Sequence, residues 1–153
     1  MKRLFFLSFL LFFTLNIQAQ ELPKVIDVSS NDQQLEVLSS QYKSSLLTAA
    51  DTNLTKMVNT WKHCLTAMEF YADKIDFDVK GVKMWLKIFW AKDGKIDHIA
   101  YYLQDNSINI PKVDFEAFLT SFSRNYQLPI GHKHRFSYAS RAQFPMYLMY
   151  TPK

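Results

Sequence analysis

Residues 82–103, VKMWLKIFWAKDGKIDHIAYYL, decide the fold class. Apolar side chains recur at every second position through Val82, Met84, Leu86, Ile88 and Trp90, the period of a strand with one buried face. Asp93-Gly94 interrupts the run before a second strand-like stretch begins. A two-residue Asp-Gly loop wants positive φ at both central residues, the type I′ turn whose twist matches the strands it joins. With Lys92 opposite Lys95, Ile88 faces Ile99, Leu86 faces Tyr101 and Met84 faces Leu103, so one face of the hairpin is almost continuously apolar. The other face is mixed but rich in rings: Lys83, Trp85, Lys87 and Phe89 beside His98, Ala100 and Tyr102.

Downstream, a loop over Gln104–Ile110 leads to Pro111, a residue suited to the first turn of a helix. Phe115, Phe118, Leu119, Phe122 and Tyr126 share one stripe of that helix, and Leu128-Pro129 with Gly131 end it. Lys133–Tyr138 and Phe144–Tyr150 read as two strands, the second at or near a sheet edge because Pro145 cannot donate to a ladder. Upstream, Glu21–Asn31 is polar and reads as an extended lead-in. Asp32–Leu47 carries a thin helical stripe of Leu35, Leu38, Tyr42 and Leu46. Asn53–Lys74 carries a broader one of Leu54, Met57, Val58, Trp61, Leu65, Met68 and Ala72. The short link Thr48–Asp51 predicts that these two helices form an antiparallel hairpin. The expected class is therefore α+β: an N-terminal helical hairpin within residues 20–80, then an antiparallel ββαβ(β) sheet in 81–153 with one helix packed on it. The N-terminal helices are expected to cover the ring-rich face, because their apolar stripe needs a partner.

Residues 1–19 read as a secretory signal peptide. Lys2 and Arg3 precede an apolar run from Leu4 to Leu15, which polar Asn16, Gln18 and Gln20 close well short of the roughly 20 residues a membrane span requires. Ala19 is small enough to precede the cut. Residues 20–153 then form a single domain of 134 residues, whose net charge is +2 rather than +4 once Lys2 and Arg3 are gone. So small an excess argues against nucleic acid as a partner. Cys64 is the one cysteine, so no intrachain disulfide can form, and stability has to come from packing. The aromatic content of 16 % supplies the material.

The stretch Gly81–Tyr126, with a strand, Lys92-Asp93-Gly94-Lys95-Ile96, a second strand, a linker and an apolar-striped helix, resembles the C-terminal domain of TonB-like proteins, and the resemblance extends over residues 81–150. Leu128-Pro129 and the strand expected at Phe144–Tyr150 fall where that family has its Pro-containing link and final strand. The resemblance implies a ββαβ fold and a tendency to bind partners by edge-strand pairing. It does not imply an energy transducer, which keeps an uncleaved membrane helix and a long Pro-rich spacer; this chain has five scattered prolines.

Few constellations suggest chemistry. His132-x-His134 has a spacing that sets two imidazoles on one side of a strand, but a zinc site needs three or four ligands. Asp97 and His98 should point to opposite faces of the hairpin, so at most one could join them. His63 and Cys64 are helical neighbours about 100° apart and should not pair as base and nucleophile. No serine elbow, phosphate-cradling glycine loop or His-Glu-x-x-His run occurs in the sequence. No cofactor and no resident metal are called for.

From Arg124 to Lys153 there are five basic residues and no acid, interleaved with Tyr126, Phe136, Tyr138, Phe144, Tyr147 and Tyr150. Cations beside rings favour acidic or glycan-like partners, or a strand added at an edge. The candidate binding residues are Arg124, Arg135, Tyr138, Arg141 and Tyr147, with Trp85 and Tyr102 from the ring-rich hairpin face. The expected function is an exported, non-enzymatic binding or accessory module, periplasmic or secreted, whose partner is another envelope protein. Neither nucleic acid nor stable membrane insertion after cleavage is expected, and self-association would run through the last strand. The alternative is a small exported hydrolase or metal-dependent enzyme using His98, His132 and His134.

Overall fold

The computed structural model of the protein describes residues 22–146; the expected signal peptide, Tyr147 and most of the expected strand Phe144–Tyr150 lie outside them. The elements are β1 (Val25–Asp27), α1 (Asp32–Gln41), β2 (Ser44–Ser45), α2 (Leu46–Ala49), α3 (Leu54–Lys74), β3 (Lys83–Trp90), β4 (Ile96–Leu103), α4 (Lys112–Asn125) and β5 (Phe136–Gln143). The fold is α+β, with one open sheet of five strands in the order β1-β4-β3-β5-β2.

The hairpin keeps its expected body register: Ile88 pairs with Ile99, Leu86 with Tyr101 and Met84 with Leu103. Its tip is built differently. Ala91 donates to Lys95, Gly94 donates to Ala91, and Gly94 has φ +87° while Asp93 has no positive φ. The tip is a three-residue loop with left-handed glycine last, not the two-residue type I′ turn. The extra loop residue is absorbed by a bulge, since Phe89 pairs with His98 but Trp90 pairs with Ile96, leaving Asp97 as the additional residue on β4. Segment 127–132 explains the choice, because it clasps the tip: Leu128 donates to Gly94, His132 to Lys92, and the Gln127 amide to Asp93.

β3 pairs antiparallel with β4 on one side and with β5 on the other, but the whole sheet is mixed. β1 pairs in parallel with β4, and β2 in parallel with β5 at Phe136 and Ser137. The lead-in before the first helix thus supplies an edge strand. Among the described residues one strand, β5, stands where the first of the two C-terminal strands was expected. It begins at Phe136 and runs through Ser137-Tyr138-Ala139-Ser140-Arg141-Ala142-Gln143, whose small and polar side chains hide the period of two. Phe144–Met146 is no longer in a strand.

The N-terminal helical hairpin does not form. α1 ends at Gln41, β2 intervenes, and the two helices lie on opposite sides of the sheet. α3 buries Met57, Trp61, Cys64, Leu65, Met68 and Ala72 with α4's Phe115, Phe118, Leu119 and Phe122 against the continuous face of Met84, Leu86, Ile88 and Trp90. Leu54 and Val58, the outer members of the expected stripe, stay exposed. The most apolar helix takes the most apolar face, where burial at about 25 cal/mol per Å² gains most. Asn53 caps α3 by accepting from the Lys56 amide at 2.9 Å. α3 and α4 meet through Tyr71, which lies over Phe122 and reaches Ser121 Oγ at 2.5 Å. The ring-rich face is left to α1, whose Leu38, with Tyr42 just past its end, packs on Ile26, Phe89 and Ala100. A ten-residue helix covers only part of it.

Candidate functional site

The uncovered part of that second face is a groove with a cavity of about 710 Å³, lined by Val28, Leu35, Trp85, Tyr102, Gln104, Asp105, Asn106 and Arg141. Its floor follows from the register. Trp85 pairs with Tyr102 on one side and with Arg141 on the other, so the three residues form one row across β4, β3 and β5. Alternation sends all three side chains to the same face. Leu35 of α1 and Val28 make the apolar wall toward the covered half, where Phe89 sits against Tyr42 at a centroid distance of 4.9 Å. Gln104, Asp105 and Asn106, at the start of the loop to α4, form a polar rim. Tyr102 is 42 % exposed, Arg141 is exposed, and no interaction of the Arg141 guanidinium occurs among the described residues.

The row unites three of the seven residues that sequence reasoning marked for binding. Tyr138 lies on the opposite face, edge-on to Trp61 at 5.1 Å, and serves packing. Arg124 is exposed near the end of α4. Arg135 lies at the other end of the second face, and Tyr147 falls outside the described residues. Leu35 and the Gln104–Asn106 rim were missed. The helical stripe marked Leu35 as a core residue, and a polar loop carries no periodic signal.

The histidines do not converge. His98 Nδ1 bonds the Pro23 carbonyl at 2.9 Å. His132 and His134 sit past the hairpin tip with ring centroids 5.8 Å apart, and the amide of His132 donates to Lys92. Among the described residues no group of three or more His, Cys, Asp or Glu side chains is arranged to hold a metal ion. The bulge corrects one expectation: Asp97 and His98 line the same pocket rather than opposite faces, with Asp97 accepting from Tyr42 Oη at 2.7 Å. Burial, then this bond to Asp97, drives the Tyr42 hydroxyl pKa well above its ordinary value. Cys64 is fully buried, which pushes its thiol up to about 12, while His63 turns outward to meet Tyr126 Oη at 3.3 Å. A protonated, enclosed thiol is a packing element rather than a nucleophile.

No described helix is long and apolar enough to cross a membrane. Comparison of the chain with protein-family models, with curated proteins and with solved structures gave no match.

Proposed function

We propose that this protein is an exported, non-enzymatic binding module of the cell envelope, which holds a segment of a partner protein against the row Tyr102–Trp85–Arg141. That row carries the reading. Two rings followed by an unengaged guanidinium on adjacent strands suit an extended peptide, with an apolar or aromatic side chain over the rings and a carboxylate on Arg141. The groove's lining offers Asp105 but no paired nucleophile and base. β5 also supports the edge-strand mode implied by the resemblance to TonB C-terminal domains, because β2 pairs with it only at Phe136 and Ser137. The signal-like residues 1–19 favour a partner that is itself an envelope protein.

Calorimetric titration with blocked hexapeptides carrying a phenylalanine two positions from an aspartate tests the reading. Saturable binding is expected, weakened about tenfold by Arg141→Ala, equivalent to about 1.4 kcal/mol. Trp85→Ala should weaken it further, whereas peptides with lysine in place of aspartate should bind poorly. Equal binding of acidic and basic peptides, or no effect of either substitution, would remove the basis for this function.

A further inference from the structure

A second, polar pocket opens at the hairpin end of the same face and is separate from the groove. It has a cavity of about 540 Å³ lined by Leu22, Pro23, Lys24, Tyr42, Asp97, His98 and Arg135. Its single carboxylate is heavily engaged. Asp97 accepts from Tyr42 Oη at 2.7 Å and lies 3.7 Å from Arg135 Nε. Two positive charges line the pocket against that one negative charge, and a third, Arg124, is close enough to act on Lys24. The Lys24 ammonium donates to the Ile96 carbonyl, which occupies one of its three donors. Burial is what lowers its pKa; of the two charges that act on it, Asp97, which raises it, outweighs Arg124, which lowers it.

The donors are also held in place. The Arg135 guanidinium stands over the Tyr42 ring at 5.8 Å from its centroid and approaches Asp97 through Nε, leaving its terminal nitrogens for a planar two-point contact. His98 gives its Nδ1–H to the Pro23 carbonyl, which fixes the ring and leaves Nε2 of the neutral imidazole a hydrogen-bond acceptor. Tyr42 is itself locked by the second core and by Asp97, which makes it a rigid platform for Arg135. Leu22 and Pro23 add an apolar wall.

We propose that this pocket is an anion site, in which Arg135 and Lys24 bind the oxyanion of a small acidic molecule, carboxylate or phosphate, and Asp97 sets how tightly. The volume exceeds what an inorganic ion fills, so the acidic group is carried on a larger body that rests on Leu22, Pro23 and Tyr42. The bulge at Asp97 is what builds the site: in a regular ladder Asp97 would face α4 and the pocket would lose its organising carboxylate.

The test is a backbone-amide NMR titration of the protein with sodium citrate and with sodium phosphate, against sodium chloride at matched ionic strength. At least one oxyanion should shift the amides of Lys24, Asp97, His98 and Arg135 saturably where chloride does not. Citrate alone would assign a carboxylate ligand, phosphate alone a phosphate ligand. Arg135→Gln, at an exposed side chain, should weaken binding at least tenfold, and Trp85→Ala in the groove should leave it unchanged, which separates this site from the peptide site. Asp97→Asn keeps an acceptor for Tyr42 and removes the competing charge, so it should tighten binding about fivefold, a gain that misfolding cannot imitate. Shifts no larger than those in chloride, or oxyanion binding indifferent to both Arg135→Gln and Asp97→Asn, would overturn the proposal.

Discussion

Gly94 shows how much a single residue can fix. Its φ of +87° closes the hairpin, and a Cβ there would collide with the Leu128 carbonyl oxygen and lie 2.7 Å from that of Ile130. Both atoms belong to the segment clasping the tip, so they cannot swing aside as a flexible side chain would. Gly94→Ala should cost about 2 to 3 kcal/mol by denaturant unfolding, the sum of a left-handed alanine and a displaced backbone. Cys64 should resist alkylation in the native protein at pH 8 and react fully in denaturant, because its thiol is enclosed and pushed up to about 12. Asp27 behaves differently. Burial acts to raise its pKa, but bonds from Lys112 at 2.7 Å and from the Ser29 amide and hydroxyl outweigh that and hold it below the usual 3.8. The folded state therefore binds this proton less readily than the unfolded one, so the stabilisation is present above pH 3.8 and lost as pH falls through the lowered folded value. Asp27→Asn should be less stable than the wild type by about 1 to 2 kcal/mol near neutrality, and the gap should close in acid.

At the scale of elements, period and composition made β3, β4, α3 and α4 legible, since each has a strong apolar pattern and a face that pattern can bury. The elements misread are those whose side chains carry little pattern. β1 and β2 have three and two residues, too few to show alternation. Half of β5 is serine and alanine, and its place is fixed by pairing with β3, a long-range contact invisible in local sequence. The bulge at Asp97 was hidden for the same reason, because it answers to segment 127–132, some 30 residues away. α1 was legible both as a helix and in its partner, the ring-rich face on which Leu38 and Tyr42 pack, whereas α3 was legible as a helix but not in its partner, because its broader stripe claims the more apolar face instead. Two substitutions on α1 check this assignment. Leu38→Ala, at a fully buried site in the second core, should cost about 2 to 4 kcal/mol, and Val37→Ala, half exposed on the same helix, under about 0.5 kcal/mol by the same measurement.

For the molecule as a whole, the division of labour between the two faces of the sheet matters most. One face is closed by α2, α3 and α4 and holds the larger core, which lets the other be spent unevenly. α1 seals its middle, leaving the groove of Trp85, Tyr102 and Arg141 at one end and the pocket of Lys24, Asp97, His98 and Arg135 at the other. The rings and cations were visible in the sequence, and their grouping was not, because it depends on where a short helix stops. Trp85 makes the central claim measurable. It is the tryptophan outside the buried set, whereas Trp61 and Trp90 are enclosed on the far face. In a titration followed through the indole N–H resonances, an acidic aromatic hexapeptide should move the Trp85 signal saturably and leave those of Trp61 and Trp90 in place. Binding that leaves the Trp85 resonance unmoved would contradict the assignment of the groove as the binding surface.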